Sequence, residues 1–160
     1  MSTTDKLIRA YNNMLERLHH VVEKESKTVK HALEHAKEKA IELSELTHEE
    51  AEKIAAYLKR DLHDAAHYLS ETEKELADWL QFDIHQIESN LLASFISVAD
   101  KTRLELDQLN HIADGLYQTG EVTGPGALVC EQCRKILHFK ATDHIPACPN
   151  CAHEVFRRPA

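Results

Sequence analysis

The chain has 160 residues, a mass of 18.2 kDa, a formal charge of −8 and 12 histidines. Only 6% of it is aromatic, with one tryptophan, Trp79, which leaves little material for a deep ligand pocket or a base-stacking platform. No apolar run approaches the ~20 residues of a membrane span, and Met1 to Ala10 is polar, without a signal-peptide core, so a cytoplasmic protein with no membrane contact is expected. In that compartment thiols stay reduced, and cysteine spacing points to metal before disulfide.

Every glycine falls between Gly115 and Gly126, and every proline at Pro125 or beyond. At ordinary usage residues 1–114 would hold roughly 14 such breakers. They hold none, so this part is expected to be helical almost throughout. The first apolar stripe runs Leu7, Tyr11, Met14, Leu18, Val21/Val22, Val29, Ala32, Ala36, Ala40 and Leu43, in steps of three and four. The polar stretch from Glu25 to Thr28 weakens this stripe without shifting its phase, so one helix over about 3–44, ~60 Å long, is expected.

Thr47 and Glu50 then form a capping box that opens a second helix, over about 48–70, with Ala51, Ile54, Ala55, Leu58, Leu62, Ala65 and Leu69 on its apolar face. A second Thr–Glu pair, Thr72 and Glu75, opens a third helix over 73–113 on Leu76, Leu80, Ile84, Ile87, Leu91, Phe95, Val98, Leu106 and Leu109. Trp79, Phe82, Leu92 and Ile96 broaden that stripe beyond a two-stranded seam. The first helix overhangs the second, so the expected fold class is mainly α: an elongated antiparallel, coiled-coil-like helical bundle over 1–114 that self-associates as a homo-oligomer. A monomeric three-helix bundle is the alternative.

The stretch 115–126 reads as a Gly-rich connector, and 127–158 as a small β module with strands near Leu128-Val129, Ile136 to Phe139 and Glu154 to Phe156. All four cysteines lie there, as Cys130-Glu-Gln-Cys133, fourteen intervening residues, and Cys148-Pro-Asn-Cys151. Two-residue spacing lets both thiolates of a pair grip one ion, and two such knuckles complete a tetrahedron. Four thiolates leave no open position for water or substrate, so the expected cofactor is one structural Zn2+ per chain on Cys130, Cys133, Cys148 and Cys151, in a four-cysteine zinc ribbon. A piece this short buries too little core to fold alone, and the metal supplies the difference. Iron in a rubredoxin-like site, two disulfides, or a redox dithiol are the alternatives. His138, His144 and His153 are spare beside four cysteines.

The stretch Asp100-Lys-Thr-Arg-Leu-Glu-Leu106, followed by Tyr117-Gln-Thr-Gly-Glu-Val-Thr-Gly-Pro-Gly126 and the first cysteine pair, resembles the YbeL-like family of bacterial zinc-ribbon proteins. The resemblance is clearest over about 98–156, and it implies zinc at the four cysteines rather than an activity. Ribbon knuckles often place glycine after the second cysteine, where the turn favours positive φ; here Arg134 and Ala152 stand instead.

Two histidine pairs imitate catalytic zinc motifs: His31-Ala-Leu-Glu-His35 and His63-Asp-Ala-Ala-His67. Each flanks an apolar stripe where a solvated histidine is expected, and neither has an evident third ligand. They read as surface histidines or adventitious metal binders. No catalytic residue, small-molecule substrate or further cofactor is expected, and the chain is read as a non-enzyme.

Charge separates the halves: residues 1–114 carry 14 Lys+Arg against 23 Asp+Glu, net −9, while 115–160 carry five against four, net +1. Arg134, Lys135, Lys140, Arg157 and Arg158 make at most a small basic face, so direct nucleic-acid binding is not expected. The expected function is a zinc-binding interaction module for an unidentified protein partner. The alternatives are a weak nucleic-acid binder or an accessory factor of the transcription or translation machinery. Such a factor would dock on RNA polymerase through an acidic helical tip at Glu42 to Glu52.

Overall fold

A computed structural model describes residues 3–25, 28–69, 94–95, 97–99, 101–102 and 116–158. Three helices come first: α1 (Thr3–Glu25), α2 (Val29–Glu42) and α3 (His48–Leu69). Residues 94–95, 97–99 and 101–102 are also helical. The remainder of the helix expected over 73–113 lies outside the described residues.

The single helix expected over 3–44 is two helices. α1 ends at Glu25, and Thr28 caps α2 by accepting the His31 N–H at 3.1 Å. α2 runs back along α1, so Arg17 pairs with Glu45 and Lys6 with Glu50. Periodicity misses this reversal because the two stripes keep the same phase across the polar Glu25–Thr28 stretch. Folded back, they bury one another, whereas a straight rod would leave them wet. The overhang that motivated self-association is gone.

The α1 stripe buries Tyr11, Met14, Leu15 and Leu18 completely. α2 meets it with Ala32, Ala36 and Ala40, small side chains that let the axes approach. From α3 come Ala51, Ile54, Leu58, Leu62 and Ala65, and Phe95, Val98 and Ala99 close the same core. The α2–α3 turn needs a left-handed residue, and without glycine Ser44 takes that position at φ 59°. The Thr47–Glu50 box forms reciprocally: Thr47 N–H donates to the Glu50 carboxylate at 2.9 Å, and Glu50 N–H to Thr47 Oγ1 at 3.1 Å.

Six short strands follow: β1 (Leu116–Gln118), β2 (Val122–Thr123), β3 (Gly126–Cys130), β4 (Ile136–Phe139), β5 (Asp143–His144) and β6 (Val155–Arg157). They form an antiparallel four-stranded sheet, ordered β1-β6-β3-β4, and a two-stranded sheet of β2 with β5. The stretch 115–126 is therefore not a connector, since residues 116–118, 122–123 and 126 all lie in strands. Its glycines serve tight geometry, with Gly120 at φ 95° in the turn after β1. Tyr117, Leu128, Phe139, Ile145 and Phe156 pack with Cys130 and Cys148 into a second, smaller core. Val122 belongs instead to the helical core, so β2 joins the two parts.

Candidate metal centre

Cys130 ends β3 and Cys133 follows in the turn to β4; Cys148 and Cys151 occupy the turn before β6. The two turns repeat one hydrogen-bond pattern. Cys130 N–H donates to Lys135 C=O at 2.9 Å and Cys148 N–H to His153 C=O at 2.9 Å. Arg134 N–H returns to Cys130 C=O at 3.1 Å and Ala152 N–H to Cys148 C=O at 2.8 Å. Closing such a turn requires positive φ after the second cysteine, and Arg134 and Ala152 adopt it at 69° and 64°. Non-glycine residues bear that conformation at some cost, which the closed knuckle offsets.

The four Sγ atoms lie within 4.8 Å of one another. Cys130 and Cys151 stand 3.6 Å apart, and Cys133 and Cys148 3.5 Å apart. Tetrahedral Zn–S bonds of ~2.3 Å place sulfurs ~3.8 Å apart, close to the separation of these two pairs. Amides prepare Cys130 and Cys133 for charge, whereas at Cys151 a backbone bond from His153 is outweighed by burial and the neighbouring thiols, which push that thiol up to about 12. Burial raises the Cys130 thiol, but hydrogen bonds from the Cys133 and Gln132 backbones outweigh it and leave that thiol below its ordinary value. The Asn150 side chain, then the Lys135 backbone, bring Cys133 down to about 6. Four soft donors fit Zn2+, and the fold brings together all four expected ligands.

The histidine pairs gather nothing comparable. Among the described residues the four cysteines form the one group of three or more ligand side chains able to share an ion. His31 and His35 are both exposed, and His35 lines a shallow groove of about 400 Å³ with Glu16, Arg17, His20 and Lys39. His63 is half-buried near Asp64, and the side chain of His67 is outside the described residues.

A buried polar cluster at the base of the ribbon was not anticipated. Asp61, fully buried on α3, accepts from Tyr11 Oη and from Gly124 N–H at 2.8 Å, with the Arg60 and Arg158 guanidinium groups 3.4 and 3.5 Å away. Arg158 also donates to Thr123 Oγ1 at 2.9 Å and to Ala127 C=O at 3.2 Å, while Arg60 reaches Glu121 at 2.5 Å and Val122 C=O at 3.0 Å. Both guanidinium groups lie over the Tyr117 ring, 3.9 and 4.8 Å from its centroid, and Tyr117 Oη donates to Asp64 at 2.5 Å.

Burial holds the Tyr117 phenol well above its usual range; at Tyr11 burial and then Asp61 do the same, so both remain donors. Burial alone would lower Arg60, but Asp61, Tyr117 and Glu121 keep it charged. One sequence signal marks this cluster: Asp61 lies three residues after Leu58 and four before Ala65, a carboxylate on the apolar face of its helix.

The basic face is correspondingly smaller than expected. Arg158 is buried in this cluster and Arg157 pairs with Glu131, leaving Arg134, Lys135 and Lys140 as its exposed members outside those contacts. In the acidic tip Glu45 pairs with Arg17, Glu50 pairs with Lys6 and caps α3, and Glu52 pairs with Lys37, while Glu42 and Glu49 stand exposed.

Residues 16–160 match the family described as a zinc-ribbon containing domain. The chain is 30% identical over 158 residues to the Escherichia coli K12 protein named "Uncharacterized protein YbeL", covering 96% of each chain. The proteins of that name from the O6:H1 and O157:H7 strains match at the same identity and coverage. No solved structure matches.

Proposed function

The chain belongs to the zinc-ribbon containing domain family, and from that premise we propose that it is a non-enzymatic protein whose single structural zinc holds the ribbon rigid for contact with a protein partner. The observation that carries this reading is the closed donor set. Four mutually adjacent thiolates, 4.8 Å or less apart, fill a tetrahedral ion and leave no site for substrate or water. The chemistry of such a centre is folding rather than turnover. The location we propose is the cytoplasm; no helix among the described residues is long and apolar enough to cross a membrane.

The polymerase-docking alternative needs an acidic tip, in which Glu45, Glu50 and Glu52 form surface ion pairs within the chain while Glu42 and Glu49 stay exposed. Direct nucleic-acid binding keeps only Arg134, Lys135 and Lys140 as uncommitted basic residues of the ribbon, against a chain charge of −8. Native mass spectrometry of tag-free protein, purified without added metal, tests the zinc reading and reports the oligomer. One zinc per chain is expected. Crosslinking pull-downs that compare intact protein with the Cys148→Ser variant test the interaction reading: protein partners captured by the first and lost from the second support it. Capture that does not depend on the ribbon contradicts it.

A further inference from the structure

β4 is the outermost strand of its sheet, and among the described residues no strand lies on its far side. The ladder register fixes which groups face that side. Cys130 N–H bonds to Lys135 C=O, so the next pair, Val129 opposite Ile136, is of the non-hydrogen-bonded kind, and the backbone groups of Ile136 point away from β3. The Ile136 side chain is 42% exposed, an unusual placement for a large apolar residue beside an open edge. Alongside runs a groove of about 860 Å³, with Ile136, Pro146 and Pro149 on its walls together with His138, His144 and the carboxylate of Asp143. The two prolines have no N–H to offer this edge.

Charge brackets the strand. Arg134 and Lys135 precede it and Lys140 follows it, all three exposed, while the remaining arginines of the ribbon are committed to Glu131 and to the Asp61 cluster. At ~3.3 Å per residue the two basic ends are roughly 17 Å apart.

We propose that the β4 edge is a docking site for an extended acidic segment of a partner protein. The segment adds as a strand beside β4, lays an apolar side chain against Ile136, and directs carboxylates at one end to Arg134 and Lys135 and at the other to Lys140. This rests on the reading of the ribbon as an interaction module and specifies its partner. A nucleic acid is the weaker fit, because three basic side chains at two ends of one strand make no continuous cationic track for a phosphate backbone, although His138 and His144 also line the groove.

The test titrates the zinc-loaded, ¹⁵N-labelled full chain with a defined probe, the peptide acetyl-Asp-Glu-Val-Thr-Ile-Thr-Asp-Glu-amide. Matched titrations use the same peptide with lysine at its four acidic positions, and oligothymidine. The acidic peptide is expected to shift the amides of 135–140, with affinity reduced at least about tenfold by Ile136→Glu and by Lys140→Glu. Both substitutions are at exposed positions, and an unchanged spectrum elsewhere verifies the fold. No shift at β4, equal binding of the lysine peptide, or preferential binding of oligothymidine each overturns the proposal. If Ile136→Glu still captures the partners crosslinked to the intact protein, the groove fails while the interaction reading stands.

Discussion

The helical region buries Tyr11, Met14, Leu18, Ile54 and Leu58 in one continuous apolar core and leaves most of its ion pairs, such as Lys6–Glu50, at the surface. In the ribbon the arrangement is reversed. Its own core is a handful of side chains around Phe156, two of them cysteines of the clustered set, while charged groups are buried at its base in the Asp61 cluster. Apolar area grows with the amount of chain, so a short β module must borrow stability from chemistry. Here it has two sources, a four-thiolate grip at the tip and a hydrogen-bonded clamp to α3 at the root.

The largest expected effect separates the two regions most sharply. Replacing Cys148 by Ser, or stripping metal with a chelator, removes the tip staple, and the ribbon loses ordered structure while α1 and α2 keep their helicity. Circular dichroism beside amide-resolved NMR reads both. Loss of helix in step with the ribbon would merge the two regions into one unit.

Next comes the root. Asp61→Ala leaves two buried guanidinium groups short of their shared carboxylate and removes the acceptor for Gly124 N–H, at an expected cost of ~3–5 kcal/mol. Denaturant unfolding measures it, and a loss below about 1 kcal/mol would show that the clamp is not structural. A smaller effect is expected at the point of closest approach. A Cβ on Gly124 would sit 2.8 Å from Tyr11 Oη, so Gly124→Ala should cost about 1–3 kcal/mol. Adding Tyr11→Phe removes the clashing atom and should recover part of that loss in a double-mutant cycle.

On the helical side, Thr47→Ala removes one half of the capping box, for ~1 kcal/mol in thermal unfolding. The smallest effect is electrostatic. Hydrogen bonds from Arg17 hold the Glu45 carboxyl below its ordinary 4.5, so its contribution is present above that pH and disappears as pH falls through the depressed value. An Arg17→Gln variant should therefore differ from the parent at pH 7 and converge with it in acid; a difference unchanged by acid would exclude the pair as its cause.

The features that sequence reveals here are local. Cysteine spacing identifies the four thiols that the fold gathers, and Thr47 three residues before Glu50 identifies the start of α3. What it hides is relational. The α1–α2 reversal preserves hydrophobic phase, so nothing in the stripe of Leu18, Val22, Val29 and Ala32 announces a turn. Nor does the absence of glycine exclude one, since Ser44 occupies a left-handed position at the next. Arg158 meets Asp61 across 97 residues, beyond any motif. Gly120 and Gly126, read as marks of a linker, instead belong to strands and their turns, because positive φ serves a tight sheet as readily as a flexible segment.

The most direct test of this two-staple account is hydrogen–deuterium exchange on the full chain, with and without a zinc chelator. The account predicts that residues 126–158 lose protection when metal is removed, that amides near Tyr11 and Asp61 lose some, and that the α1–α2 hairpin keeps its own. Protection of 126–158 that is unchanged by metal removal would contradict it, as would equal loss throughout the helices.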